Sequence, residues 1–167
     1  RSGELTVTGN LIADASAFGN RDLRTGATGA DSTGGTITTN VDLGGGMTIA
    51  GGLWLNASAL AAIGELSAGT GRGGAANLLM SGAGSSFEIQ GQFPLFFADP
   101  PRGRSLFVDT SAYEPQSGAP FLTTVSGGNT TGGAINLAFT GGTSSINGTT
   151  DLRSFSAVLN PLSGSAP

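Results

Sequence analysis

The chain has 167 residues, of which 30 are Gly and 37 are Ser or Thr, and only 11% of its residues are charged, with a formal net charge of −4. So few bulky side chains and helix formers exclude an all-helical fold, and so little charge argues against a disordered, solvated chain. Seven Arg among eleven carboxylates form no basic stripe, and no apolar run approaches 18 residues, so we expect no nucleic-acid partner and no membrane-spanning helix.

The first predicted elements belong to a repeat. Residues 5–16 and 47–58 share one pattern: apolar, Thr, β-branched, small, Gly, and later Leu and an Asp or Asn followed by Ala and Ser. The offset between them is 42 positions, and shorter copies of the pattern start at 87–93 and 144–148. A fixed period of this length predicts a stacked repeat architecture.

A second motif precedes the first in each later unit. Residues 34–41, 73–80 and 132–139 each begin with a glycine pair and continue with a short run in which apolar side chains alternate. Alternation with period two predicts a strand with one buried face. The glycine pairs are typical of turns that need a positive φ.

Short strands at this spacing predict an all-β solenoid, most simply a right-handed parallel β-helix. Only Asn147-Gly148 offers a tight hairpin turn, so parallel stacking of successive coils is favoured over hairpins. We expect about two coils of 20 residues in each 40-residue repeat, and about eight coils in all. A β-sandwich is the alternative, and residues 57–66 are the one stretch with a helical pattern, after a cap at Asn56.

Residues 92–125 differ from the repeat and lengthen it. This segment contains five of the seven Pro residues, and Pro cannot donate to a β-ladder, so we expect an excursion over the flank of the coil. Its aromatic and Arg residues predict a contact surface, while packing of the same rings on the rod is the competing interpretation. The residues of the predicted contact surface are Phe96, Phe97, Arg102, Arg104, Phe107 and Tyr113.

Candidate chemistry is limited by the absence of His and Cys. Without them a Ser-His-Asp triad, a cysteine nucleophile and an ordinary zinc site are excluded, and one partial calcium repeat at 26–31 lacks tandem copies. Asp14, Asn56 and Asp99 occupy similar positions in three units. They are expected at corners, where their side chains accept hydrogen bonds from turn amides, and the alternative is a pair of catalytic carboxylates. We therefore predict no catalytic residues, no metal and no cofactor.

The two motifs together resemble the repeats of secreted bacterial β-solenoid adhesins of the filamentous-haemagglutinin and autotransporter-passenger type. The resemblance covers most of residues 3–91 and 132–156. It implies surface exposure and a role in adhesion or matrix building. Together with the lack of catalytic groups, this predicts a secreted or cell-surface structural module that is not an enzyme. Unpaired strand edges at the ends of a rod template association, so the expected partners are further copies or further lengths of the same chain, assembling into a fibre, with surface glycans as a second class.

The domain organisation expected from this pattern is one solenoid domain over residues 1–167, in a chain that has the character of a piece of a longer protein. A polysaccharide-active β-helix enzyme and a carbohydrate-binding module are the alternative functions.

Overall fold

The computed structural model describes residues 3–20, 22, 24–64, 66–95, 101–114 and 128–158, and every regular element in those ranges is a β-strand. The first coil contains β1 (Glu4–Val7), β2 (Leu11–Asp14), β3 (Ala17–Phe18), β4 (Ser32–Thr33) and β5 (Thr36–Val41). The second contains β6 (Gly46–Ile49), β7 (Leu53–Asn56), β8 (Ala59–Leu60), β9 (Gly71–Arg72) and β10 (Ala75–Ser81). The third contains β11 (Ser86–Ile89), β12 (Leu106–Asp109), β13 (Ala112–Glu114), β14 (Thr130–Thr131) and β15 (Ala134–Thr140). The fourth contains β16 (Thr143–Ile146), β17 (Thr150–Arg153) and β18 (Ser156–Val158).

The strands stack in five sheets, numbered here in the order in which the chain visits them. Sheet 1 is β1-β6-β11-β16, sheet 2 is β2-β7-β12-β17, sheet 3 is β3-β8-β13-β18, sheet 4 is β4-β9-β14 and sheet 5 is β5-β10-β15. All pairings between these strands are parallel. The predicted parallel β-helix is confirmed, and the β-sandwich is excluded because its neighbouring strands run antiparallel. The right-handed sense stays a prediction.

Each coil takes up one whole repeat. Leu5 pairs with Met47, and Met47 pairs with Phe87, so the next strand of sheet 1 lies 42 and then 40 positions along the chain. The prediction of two 20-residue coils per repeat is therefore wrong, and the described chain makes three full coils and three strands of a fourth. At about 4.8 Å per rung the first and fourth rungs lie about 14 Å apart.

The main hydrophobic core lies between sheets 1, 2 and 5 and consists of columns of equivalent side chains from successive coils. Ile49, Leu53 and Leu55 of the second coil are fully buried, as are Ile89 and Leu106 of the third. Each fully buried side chain of this size contributes about 1.5–3 kcal/mol. The side chains at the two ends of these columns are only partly buried because nothing in the described chain lies beyond them: Val7, Leu11, Ala13, Ile37, Ile135, Leu137, Phe139 and Ile146.

Each coil is pinched where the chain enters sheet 5. The same backbone hydrogen bond recurs at 2.7 Å in three coils, with a glycine N–H as donor and a carbonyl that follows sheet 2 as acceptor: Gly35 to Ala15, Gly74 to Ala57, and Gly133 to Thr110. The glycine pairs do not have positive φ, contrary to the sequence expectation. They are needed because the two chain segments touch. A Cβ atom at Gly73 would overlap the carbonyl oxygen of Thr110.

The predicted excursion at 92–125 is wrong in its central part. Leu106–Asp109 and Ala112–Glu114 are strands with parallel neighbours on both sides. The extra length before them lies between β11 and β12, which are separated by 16 residues where β6 and β7 are separated by three. The proline residues flank the two strands and leave them uninterrupted, which is why both can join the ladder. Residues 115–127 lie outside the described ranges.

The helical pattern at 57–66 also gave a wrong prediction. Ala59–Leu60 is strand β8, paired in parallel with both β3 and β13. Ala59, Ala61 and Ala62 are buried beyond the pinch, in the narrow part of the coil that sheets 3 and 4 enclose. Only a small side chain such as that of alanine fits in this narrow interior. Tertiary packing therefore overrides the helix propensity of the stretch.

Candidate functional site

The inserted segment between β11 and β12 returns to the coil at Arg104. Phe93 and Arg104 close its base: the Phe93 N–H donates to the Arg104 carbonyl at 2.9 Å, and the Gly103 N–H donates to the Phe93 carbonyl at 3.0 Å. The Phe93 side chain is fully buried against the coil. This anchor places the Arg104 side chain on the outer face of sheet 2.

Arg104, Phe107, Asp151 and Arg153 form what we call the arginine cluster. The Arg104 Nε donates to Asp151 Oδ2 at 2.6 Å, and the Arg153 Nη2 donates to the same oxygen at 3.0 Å. Both guanidinium groups also lie over the Phe107 ring, with Cζ atoms 5.7 Å and 5.0 Å from its centroid. Phe107 points away from the core and is nevertheless fully buried, because these side chains and Trp54, at 6.0 Å between ring centroids, cover it.

The charges of the cluster hold one another in the ionised state. Burial raises the pKa of Asp151, but hydrogen bonds from Arg153 and Arg104 outweigh burial and leave that pKa below its ordinary value. The hydrogen bond to Asp151 in turn raises the pKa of Arg153. The Asp151 carboxylate is therefore ionised at neutral pH and links Arg104 of the inserted segment to β17.

A second feature of sheet 2 is a column of register partners at the ends of its strands, which we call the Asx column. It runs through Asp14, Asn56, Asp109 and Arg153. Its three Asp or Asn members each accept a backbone N–H two residues later: Asp14 from Ser16 at 2.8 Å, Asn56 from Ser58 at 3.3 Å and Asp109 from Ser111 at 2.9 Å. The predicted corner role is thus confirmed for Asp14 and Asn56. The third member is Asp109 and not Asp99, which lies outside the described residues.

Tyr113 joins the two features. Its hydroxyl donates to Asp109 Oδ2 at 3.1 Å, and its ring meets Phe155 edge-on at 5.5 Å between centroids. Burial raises the pKa of Tyr113, which keeps the phenol protonated as a donor. Both oxygens of Asp109 are therefore occupied by partners within the coil.

The structure divides the predicted contact surface. Arg104, Phe107 and Tyr113 come together around the arginine cluster and the Asx column, where Phe107 is buried and the other two are half-buried. Arg102 is exposed, and its carbonyl accepts a hydrogen bond from Arg104 Nη1 at 3.0 Å. Phe96 and Phe97 lie outside the described residues.

The sequence analysis did not predict that Trp54, Asp151 and Arg153 belong to this site, nor that Asp109 is the register partner of Asn56. A signal for the last was present, because residues 106–112 repeat the pattern of 11–17 and 53–59: Leu, a large apolar residue, an aliphatic residue, Asp or Asn, a small residue, Ser and Ala. Aligning on that pattern places the insertion before residue 106. Arg153 has no such signal, since it replaces the Asp or Asn of its column.

Both carboxylates of this site are hydrogen-bonded within the fold. Asp151 accepts from two guanidinium groups, and Asp109 accepts from a serine amide and a phenol. Among the described residues no three acidic side chains gather closely enough to hold a metal ion. In the same part of the chain no helix is long and apolar enough to cross a membrane.

Comparisons with known proteins give no match: no protein-family model, no curated protein and no solved structure corresponds to this chain.

Proposed function

We propose that this chain is a rigid structural module of a bacterial surface or extracellular matrix, serving attachment or spacing. One observation carries the proposal: equivalent side chains of successive coils stack in unbroken register in all five sheets. Each strand of the second coil is hydrogen-bonded on both sides, as are β11, β12 and β13 of the third, and this continuous ladder gives a short rod its stiffness. The role also fits a secreted protein made without cysteine or histidine.

The outer surface supports the same role. In sheet 1 the outward column runs through the polar residues Thr6, Thr48, Glu88 and Ser145. The charged groups at the arginine cluster are satisfied by one another, which suits a scaffold more than a substrate site. The net charge of −4 also opposes non-specific association of one rod with another.

A glycan-binding module is the second candidate, and one observation favours it. Arg102 is exposed next to the arginine cluster, at the edge of a segment rich in aromatic residues. Exposed Arg beside aromatic rings is a common means of binding carboxylated or sulfated sugars.

A bead-retention assay tests both. Beads coated with the protein are passed over neutral and anionic polysaccharide surfaces, and the eluate is assayed for cleaved sugar. The proposal predicts retention on at least one surface without cleavage. Arg102→Ala lowers retention on anionic glycans if these are the ligand, whereas Arg72→Ala, an exposed Arg on sheet 4, does not. Released sugar would establish the enzymatic alternative, and a lack of retention on every surface would overturn the adhesive role.

A further inference from the structure

Within the described residues, the first and last strands of sheets 1, 2 and 3 have a partner on one side only, and part of the core lies open at both ends. Leu5 on β1 occupies the position of the buried Met47 and Phe87, yet it is 50% exposed. Leu152 on β17 occupies the position of the fully buried Leu55 and Val108, yet it is 47% exposed. Both leucines belong to the core by position and lack only a neighbouring coil.

The side chains of the two ends are complementary in size. In the inward column that starts at Leu5, the last residue is the small Ser144. In the column that ends at Leu152, the first residue is the small Ala13. A large residue on one end therefore meets a small residue on the other end when the two ends face each other. The column Val7, Ile49, Ile89 and Ile146 is β-branched throughout, so Val7 of a second copy placed over Ile146 would extend it with a similar side chain.

The ends are also complementary in charge. The Asx column begins with Asp14 in the first coil and ends with Arg153 in the fourth. Extending this column by one rung places Asp14 of a second copy directly over Arg153. Side-chain pairs of opposite charge at this position favour the contact.

From these features we propose that the chain binds a second copy of itself head to tail, with β1, β2 and β3 of one copy pairing in parallel with β16, β17 and β18 of the other. The pairing rests on the proposed function as a rod and names how that rod grows. Its register puts Leu5 on Ser144, Val7 on Ile146 and Asp14 on Arg153. Because the two faces differ, the contact is heterologous and leaves a free end at each side of the dimer.

The contact is assigned to sheets 1, 2 and 3. In the described part of the chain sheets 4 and 5 end one coil lower, at β14 and β15. Three strands from each copy pair across the junction, and every copy adds four rungs, or about 19 Å, to the length of the rod in these sheets.

Two end variants of the full chain test the pairing by sedimentation velocity. Leu5→Lys places a charge on the inward side of the first edge, and Leu152→Lys does so on the last edge. Each lysine reaches water in the free chain but is buried at a junction, so each change weakens association more than about tenfold. Thr6→Lys is the matched control, since Thr6 adjoins Leu5 on the same strand and points outward.

The expected pattern is specific to a head-to-tail contact. The unmodified chain and Thr6→Lys form a series of lengthening species as concentration rises, and each end variant alone stays monomeric. An equal mixture of the two end variants forms dimers and nothing larger, because one intact face of each kind remains. Self-association of either end variant alone would overturn the proposal, as would equal disruption by Thr6→Lys.

Electron microscopy of the unmodified chain is the second measurement and needs no variant. Rods whose lengths differ by about 19 Å support the pairing, and uniform single particles at every concentration overturn it. Loss of self-association leaves the bead-retention result unaffected, so failure of this inference is distinguishable from failure of the proposed structural role.

Discussion

At the scale of the residue, the glycine pairs determine the shape of the coil. Gly34, Gly73 and Gly132 each precede the glycine whose N–H crosses the coil, and two of them face a carbonyl oxygen in the position a Cβ atom would take. These are Gly34, against Ala57, and Gly73, against Thr110. The fold therefore needs the absence of a side chain at these sites, and the backbone angles are ordinary.

Gly73→Ala is expected to lower the free energy of unfolding by more than about 2 kcal/mol, since the new methyl group separates two backbone segments that hydrogen-bond across the pinch. Gly9→Ala is the matched control, because nothing lies within 4 Å of its Cβ position. It is expected to change stability by less than about 0.5 kcal/mol. Urea denaturation of both variants measures the difference, and equal losses would contradict the steric role of the pinch.

The sequence reveals the glycine pairs but not their purpose. A glycine pair before a strand is equally typical of a turn with positive φ and of a close backbone approach. The approach involves residues such as Gly73 and Thr110, which are 37 positions apart in the chain. Local pattern carries no information about such a contact until the coil length is known.

At the scale of the element, the arginine cluster ties the inserted segment to the last strand of sheet 2. Asp151 on β17 receives Arg104 from the inserted segment and Arg153 from its own strand. The three side chains are 21–29% exposed, so their charges are only partly screened by water. The bridge therefore anchors the end of the 16-residue connection between β11 and β12 to a strand of the next coil.

Asp151→Asn tests the bridge through its pH dependence. The pKa of Asp151 is lower in the folded chain than in the unfolded chain, so the carboxylate stabilises the fold above about pH 4 and this contribution is lost as pH falls through the folded pKa. We expect the variant to be about 1 kcal/mol less stable than the parent chain at pH 7, and this difference to become smaller at about pH 3.

Urea denaturation at both pH values provides the measurement, with Glu88→Gln as control. Glu88 is an exposed carboxylate that accepts a hydrogen bond from the amide of Gln90, and its substitution is expected to have little effect at either pH. A stability loss in Asp151→Asn that is the same at pH 7 and at about pH 3 would show that its ionisation contributes nothing.

Strands were predictable from the sequence where the alternation of apolar and polar residues extends over six or seven positions. The six- and seven-residue strands of sheet 5 alternate clearly and were found with their mutual alignment intact. Strands β3, β4, β8, β9 and β14 have two residues each, which is too short for any periodicity to appear. The arginine cluster depends on Arg153, a residue that breaks the pattern of its own column, and so it was not predicted.

At the scale of the whole molecule, the repeat length is the circumference of the coil. The sequence gives the 42-residue offset directly, and parallel stacking follows from it. The number of coils per repeat does not follow from the offset, because each of the three full coils contains five strands of unequal length around a pinched outline. One coil of this shape takes up a whole repeat, so the division of the repeat into two equal coils was wrong.

The same stacking explains why the ends matter. The second coil buries its core residues, while the first and fourth coils leave Leu5 and Leu152 about half exposed. Stability is thus greatest in the middle and depends at each end on what lies beyond it, as in other repeat architectures. The proposed head-to-tail contact removes both weak points together.

Disulfide trapping tests most directly the claim that one repeat makes one coil. Thr6 and Thr48 are register partners on adjacent rungs, and Glu88 is the next partner in the same column. The chain has no cysteine of its own, so any disulfide joins introduced residues. Adjacent rungs place Cα atoms about 4.8 Å apart, within disulfide range, and a separation of two rungs exceeds it.

Oxidation of the dilute protein is predicted to close a disulfide within the chain in the Thr6→Cys, Thr48→Cys variant and not in the Thr6→Cys, Glu88→Cys variant. Efficient closure of the second pair, or failure of the first in a folded protein, would contradict the stacking on which the fold and the proposed function depend.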